Sequence, residues 1–264
     1  MTDIAPLLVE EDGAILIATL NRPDKLNALN RETLELLDRA IVRYRDTHAL
    51  KVMLIRATGR YFSAGADLRE GGGGAMPSTG SGLREMHRLH LNGMQRMYDE
   101  MEHIEKPFVV AHQGTCVGGG LELSLSCDFR LAAQSARYSF PEGKFGVLPA
   151  SNGVSRLVRI VGTHWARYLI MANLVADADK ALTMGLVHEV LPDEGFQDSA
   201  LAFCRHLAEQ NGEQMGTAKI AIELARDVGL DQARHIERMA NSALMLNPAY
   251  REGYERHVEG IGKR

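Results

Sequence analysis

Asp12-Gly13 separates residues 7–11, which open on Leu-Leu-Val, from residues 14–20, a run rich in β-branched and aliphatic residues. An Asp-Gly pair between such runs predicts a β-hairpin, because it tolerates the backbone twist that a tight turn demands. Asn21-Arg22-Pro23 then reads as a turn. Beyond it, Leu34, Leu37, Ile41 and Tyr44 recur at the spacing of one helix face, and Asn30 stands where it can cap the start of that helix. Residues 52–55 are a continuous apolar run, which predicts a buried strand. The opening pattern is therefore strand, strand, helix, strand.

The periodicity stops over residues 58–83, which read as a loop. The loop carries Gly71, Gly72, Gly73 and Gly74 and then a run of Pro, Ser, Thr and Gly, the composition of a mobile linker. Its neighbour Tyr61-Phe-Ser-Ala-Gly-Ala-Asp-Leu68 makes a gate the alternative reading. Residues 83–105 predict one helix with Met86, Leu89, His90, Met94 and Met97 toward one side. Such a stripe is either core packing or the adaptable wall of an apolar pocket. Further strands are expected at residues 108–111, 129–133, 137–140 and 187–191, with a short helix opening near Gly119. From about residue 152 the chain is mostly helical. This predicts an α/β core over residues 1–190 and a helical region over residues 191–264.

Length and composition narrow the picture further. A chain of 264 residues holds one to two domains at about 150 residues each. The net charge of −4, with both signs interspersed, speaks against a nucleic-acid partner recruited by bulk positive charge. Cys116, Cys127 and Cys204 are too scattered for a disulfide framework or a zinc pattern, and His87 and His90 lack partners at ligand spacing, so no metal is expected. The start has no basic segment followed by a long apolar one, so no secretory signal is expected. The longest uncharged run, residues 107–121, is glycine-rich and shorter than the roughly 20 apolar residues of a membrane span. A cytoplasmic protein without a membrane partner is the expectation.

The run Gly114-Thr-Cys-Val-Gly-Gly-Gly-Leu-Glu122 invites a nucleotide-binding reading that fails on detail. A phosphate loop needs Gly-Lys-Ser/Thr, and a dinucleotide fold needs Gly-x-Gly-x-x-Gly; neither spacing is present. Close packing of helix on strand through small residues is one remaining reading. The other is chemical: exposed backbone N–H groups where a strand ends and a helix opens can hold a bound or developing negative charge. Glu122 sits in the first turn of that helix among apolar and small residues. Its plain reading is an acid favoured by the helix dipole. Glu142, in Phe140-Pro-Glu142-Gly, reads plainly as a turn acid. Two carboxylates converging beside paired N–H donors would instead make an acid–base site.

These segments, in order, resemble the enoyl-CoA hydratase/isomerase (crotonase) superfamily over nearly the whole chain. The carriers are Leu20-Asn-Arg-Pro-Asp-Lys-Leu-Asn-Ala-Leu29, Phe62-Ser-Ala-Gly-Ala-Asp-Leu68, Lys106-Pro107, Gly118-Gly-Gly-Leu-Glu-Leu123, Cys127-Asp128, Phe140-Pro-Glu142, Gly146 and Ala181-x-x-x-Gly185-Leu-Val187. The resemblance implies an α/β fold: a crotonase-like spiral of ββα units followed by a C-terminal helical trimerisation region, assembled as a homotrimer or a dimer of trimers. It implies an acyl-CoA thioester substrate, as in fatty acid metabolism, and no cofactor beyond the CoA carried by that substrate. By motif position the oxyanion-hole donors are the N–H groups of Ala66 and Gly119, and the hydratase glutamates are Glu122 and Glu142. CoA is expected along Lys25, Ala28, Ala64, Gly65, Asp67 and Leu68. Retention of both glutamates favours hydration of a 2-enoyl-CoA or the reverse dehydration. Double-bond isomerisation, decarboxylation and thioester hydrolysis are the alternatives within the family, and a non-catalytic RNA-binding role is the alternative outside enzymes.

The chain also departs from the family pattern. Many hydratases read Pro-Gly-Ala-Gly-Gly-Thr-Gln-Arg-Leu where this chain reads Pro149-Ala-Ser-Asn-Gly-Val-Ser-Arg-Leu157. Ser151 and Asn152 read as caps of the next helix or as contacts to a polar acyl group. The tail His257-Val-Glu-Gly260 lacks the Phe and Lys that often approach CoA from this region.

Overall fold

The first two strands, β1 (Leu7–Asp12) and β2 (Ile15–Leu20), form the expected hairpin, with Asp12 opposite Ile15. The turn is Gly13-Ala14, one residue later than the Asp-Gly pair suggested, and Gly13 takes the positive φ of 59° that this tight turn requires. The computed structural model describes residues 5–69, 77–90 and 92–261. The linker glycines Gly71, Gly72, Gly73 and Gly74 lie outside the described residues.

The chain then winds in repeated turns, each contributing one strand to each of two sheets. Helix α1 (Arg31–Asp46) is capped by Asn30, whose side chain accepts from Thr33 N–H, and buries Leu37, Ile41 and Tyr44 as the periodicity predicts. Strand β3 (Val52–Ala57) leads into β4 (Tyr61–Ser63). Helices α2 (Gly80–His90) and α3 (Asn92–His103) follow. Strand β5 (Phe108–His112) leads into β6 (Thr115–Val117) and helix α4 (Gly119–Leu125). Strand β7 (Phe129–Ala133) leads into β8 (Arg137–Ser139), a 3₁₀ turn at Pro141–Phe145 and helix α5 (Gly153–Ala166). The winding closes with β9 (Ala176–Asp177), α6 (Ala178–Thr183), β10 (Glu189–Leu191) and α7 (Phe196–Ala208).

The larger sheet runs β1-β2-β3-β5-β7-β10 and is parallel from β2 onward. The smaller runs β4-β6-β8-β9, with β9 antiparallel to β8. This is the ββα spiral of the crotonase fold. Its central strands are buried on both faces and read as unbroken apolar runs, as Val52–Ile55 and Phe108–Ala111 do.

One local expectation is corrected. Residues 58–83 hold β4 and the start of α2, so they are not one loop. The helix expected over residues 83–105 is described on both sides of residue 91, as α2 and α3, and residue 91 lies outside the described residues. Within the methionine stripe Met97 is buried and Met94 packs on the core, whereas Leu89 is exposed.

The described residues divide into two compact units, the first ending at Glu209 and the second starting at Gln210. Helix α7 belongs to the first unit, where it packs on β2, β3 and β5. In the second unit are α8 (Gly212–Asp227), α9 (Leu230–Met245) and α10 (Pro248–Gly260), which leave Ile222, Leu230, Met239 and Leu246 exposed. No helix among the described residues is long and apolar enough to cross a membrane.

Candidate active site

Two segments far apart in sequence are laced into one ledge. Ala64 N–H donates to Leu26 O, Leu29 N–H to Gly65 O and Asp67 N–H to Leu29 O, all within 2.8–2.9 Å. Asn27 fixes the bend behind them: its side-chain amide donates to Thr58 O and Tyr61 O and accepts from Arg22 N–H. Arg22 Nη1 donates to Ala28 O and to Asp67 Oδ2, 2.9 Å away. The structure thus brings Ala28, Ala64, Gly65 and Asp67 together, with the Asp67 carboxylate turned to Arg22. Lys25 and Leu68 are exposed at the margins of the ledge.

Ala66 on this ledge meets Gly119 at the start of α4. A Cβ built on Gly119 would lie 3.3 Å from Ala66 N, and one on Gly65 would lie 3.2 Å from Gly119 N, so the two backbone segments are in close contact here. Neither N–H meets an acceptor among the described residues. The neighbouring glycines explain why the chain is so bare here. A Cβ on Gly120 would collide with Ser63 of β4 at 2.5 Å, so only glycine lets α4 lie this close to the strand. The other end of α4 is held by the buried Arg130, which donates to Ser124 O and Cys127 O.

The two glutamates flank α4 and come within electrostatic reach of each other. Glu122, only 5% exposed, points from the first turn of α4 to the start of α5. Its Oε1 accepts from Ser151 N–H at 2.7 Å and from Gly153 N–H at 3.2 Å. Glu142 sits on the 3₁₀ turn, with Oε2 buried and without a partner among the described residues. Its Oε1 lies 2.9 Å from where Gly118, the residue before α4, would carry a Cβ.

Burial pushes the Glu122 carboxyl up to about 7, and the negative charge of Glu142 adds to the rise. The two backbone donors and the Arg156 guanidinium pull the other way and lose. Glu142 is also raised, again by burial. Glu122 can therefore take up or release a proton near neutral pH, beside a second carboxyl that is also raised.

The raised Glu122 carries a stability signature. An unfolded glutamate loses its proton near 4.5, whereas the folded one keeps it to about 7. The folded chain therefore holds the extra proton between these values, and stability falls as pH rises through that window. The accumulated cost above it is on the order of 3 kcal/mol. Glu122→Gln removes the ionisation and keeps the shape. Thermal melts should show the variant more stable than the parent at pH 8 and no different at pH 4; equal gaps at both pH values would contradict the assigned ionisation.

Asn152 corrects one expectation. It occupies the cap position before α5, but with φ of 66° and with no capping bond from its side chain. The Glu122 carboxylate accepts from the N–H of Gly153, the first residue of α5, and from that of Ser151, the residue before the cap position. Asn152 instead donates to Asp99 Oδ1 of α3 at 3.3 Å, a contact the sequence reading missed. The available signal was weak: Gln95, Asp99 and Glu102 stand at one-face helical spacing, which in isolation reads as a solvated stripe.

The chain is similar in sequence and fold to enoyl-CoA hydratases. A family model described as enoyl-CoA hydratase/isomerase matches residues 10–262. The chain is 31% identical over 239 residues to a short-chain-enoyl-CoA hydratase of Clostridium acetobutylicum, covering 89% of this chain and 87% of that protein. It is 28% identical to a crotonyl-CoA hydratase of Syntrophomonas wolfei, covering 96% and 95%. The crystal structure of an enoyl-CoA hydratase from Bacillus anthracis superimposes with a TM-score of 0.88 at 27% identity, covering 96% of each chain.

Proposed function

The chain belongs to the enoyl-CoA hydratase/isomerase family, and from that premise we propose that it hydrates 2-enoyl-CoA thioesters to 3-hydroxyacyl-CoA, or dehydrates them in reverse. The observation that carries the reading is the meeting of two acceptor-free N–H groups, on Ala66 and Gly119, with two raised carboxylates, Glu122 and Glu142.

The thioester oxygen lies between the Ala66 and Gly119 N–H groups. As water adds at C3, electron density moves through C2 to that oxygen, and the fixed donors stabilise the enolate that forms. A donor of this kind contributes about 3–4 kcal/mol to the transition state. A water sits between the glutamates. One carboxylate takes its proton as the hydroxyl bonds to C3, and the other delivers a proton to C2. The requirement is one ionised and one protonated acid, which is what mutual repulsion and burial favour. Dehydration runs the same steps backward.

The CoA portion follows the ledge, where exposed Lys25 and Leu68 can meet it while Arg22 and Asp67 hold the backbone in place. The chemistry uses only these protein groups and the CoA of the substrate. The chain works as a homotrimer or a dimer of trimers, a reading supported by the exposed apolar residues of the second unit. The assay is the loss of enoyl-thioester absorbance with crotonyl-CoA. Formation of 3-hydroxybutyryl-CoA is expected. Conversion to an isomerised or hydrolysed product, with no hydroxyacyl-CoA, would overturn the hydratase reading in favour of another reaction of the family.

A further inference from the structure

The loop that supplies the amide donors to Glu122 is anchored by a third element. Gln95, Asp99 and Glu102 share one face of α3, and all three reach the segment around the start of α5. Gln95 Nε2 donates to Ala150 O at 3.0 Å. Asp99 Oδ1 accepts from Asn152 Nδ2 at 3.3 Å and from Arg156 Nη2 at 2.5 Å. Glu102 accepts from Arg156 Nε and Nη2 at 2.9 and 3.0 Å. Between these anchors lie the Ser151 and Gly153 N–H groups that point at Glu122 Oε1.

The anchoring is built for placement. The Arg156 side chain is 7% exposed and its partners Asp99 and Glu102 are 47% and 22% exposed, so a buried guanidinium is held by two carboxylates of α3 at once, which fixes its geometry better than a single surface pair does. Asn152 adopts a left-handed backbone, and its side chain bonds α3 in place of capping α5.

We infer that Asp99 is a positioning residue for Glu122, acting through Asn152 and Arg156 to hold the Ser151 and Gly153 N–H groups on the carboxylate. The inference rests on the reading of Glu122 as an acid–base group. The charged and titratable groups that face Glu122 are Glu142 from the 3₁₀ turn, Arg156 from α5 and Tyr98 from α3. When the amide donors drift away, burial and Glu142 are less opposed, and Glu122 holds its proton more tightly.

Three variants test this. Asp99→Asn removes the charge. Asn152→Gly removes only the side chain, because glycine takes the left-handed backbone freely; it keeps the test alive if Asp99→Asn fails to fold. The double exchange Asp99→Asn with Asn152→Asp restores a carboxylate–carboxamide pair with the ends reversed. The direct readout is the pH titration of the Ser151 and Gly153 backbone ¹⁵N–H signals, which should follow Glu122 with a midpoint near 7. Each single variant should raise the pH of that midpoint by about 0.5–1. Each should also lower kcat for crotonyl-CoA hydration by about tenfold, with KM within about twofold. The double exchange should recover most of both effects. An unmoved midpoint in both single variants, or a loss of activity that tracks melting temperature and is not recovered by the exchange, overturns the positioning role. Moved midpoints in a protein that hydrates no enoyl-CoA uphold that role and defeat the hydratase reading instead.

Discussion

Glu122→Gln and Glu142→Gln are each expected to lower kcat for enoyl-CoA hydration by about 10²–10⁴-fold, the range of a positioned acid or base. Both substitutions keep the size and the hydrogen-bonding outline of the side chain. In Glu122→Gln the new carboxamide oxygen can still accept from Ser151 and Gly153 N–H, so the loop at the start of α5 stays in place. Glu142→Gln keeps a polar end in the same half-buried position. The CoA ledge, held by Arg22, Asn27 and Asp67, touches neither. Affinity for a non-reacting acyl-CoA should therefore stay within a few-fold of the parent in both variants. The double variant should be about as slow as the slower single, since both acids act on one water and one enolate. Calorimetry with CoA beside steady-state kinetics checks the split. Near-parental turnover in either single variant would remove that residue from the mechanism, and a large loss of CoA affinity would make its role one of binding.

Much of this site is legible in the sequence, and the part that is not has a geometric cause. The hairpin, the Asn30 cap and the strands over Val52–Ile55 and Phe108–Ala111 are each written within one local stretch, so period and turn chemistry find them. Strands β4, β6 and β9 are two or three residues long, shorter than a period needs to declare itself. The smaller sheet exists because successive turns of the spiral stack them. The Gly118–Glu122 run announces unusual backbone, but it does not announce that Ala66 is its partner. That meeting depends on β4 pairing with β6 and on the lacing of residues 26–29 to residues 64–67. Family resemblance supplied the pairing that spacing alone left open. It did not supply Asp99, because the bonds from α3 to Asn152 and Arg156 join residues more than fifty positions apart.

Gly118→Ala and Gly153→Ala are expected to damage the same chemistry with different consequences for stability. Each glutamate lies against one of these glycines. A Cβ on Gly118 would lie 2.9 Å from Glu142 Oε1, and one on Gly153 would lie 2.6 Å from Glu122 Oε1 and 2.7 Å from Pro149 Cβ. Gly118 also has φ of 52° and ψ of −129°, a backbone that residues with a Cβ rarely adopt. Alanine there should cost about 1–3 kcal/mol from strain alone, and it displaces Glu142 as well. Gly153 has no such backbone and is the first residue of α5, where alanine gains up to about 1 kcal/mol of helix propensity. That gain offsets part of the crowding against Pro149. Gly153→Ala should therefore melt close to the parent while its Glu122 is pushed off the Ser151 N–H, and kcat should fall about 10²-fold, the scale of a misplacement of about 1 Å. Gly118→Ala should lose at least as much kcat and also melt several degrees lower. Melting curves and kcat for the two variants, measured together, separate the cases. A Gly153→Ala protein with parental kcat would mean that Glu122 tolerates displacement, and the placement of its carboxylate by the α5 loop would lose its catalytic meaning.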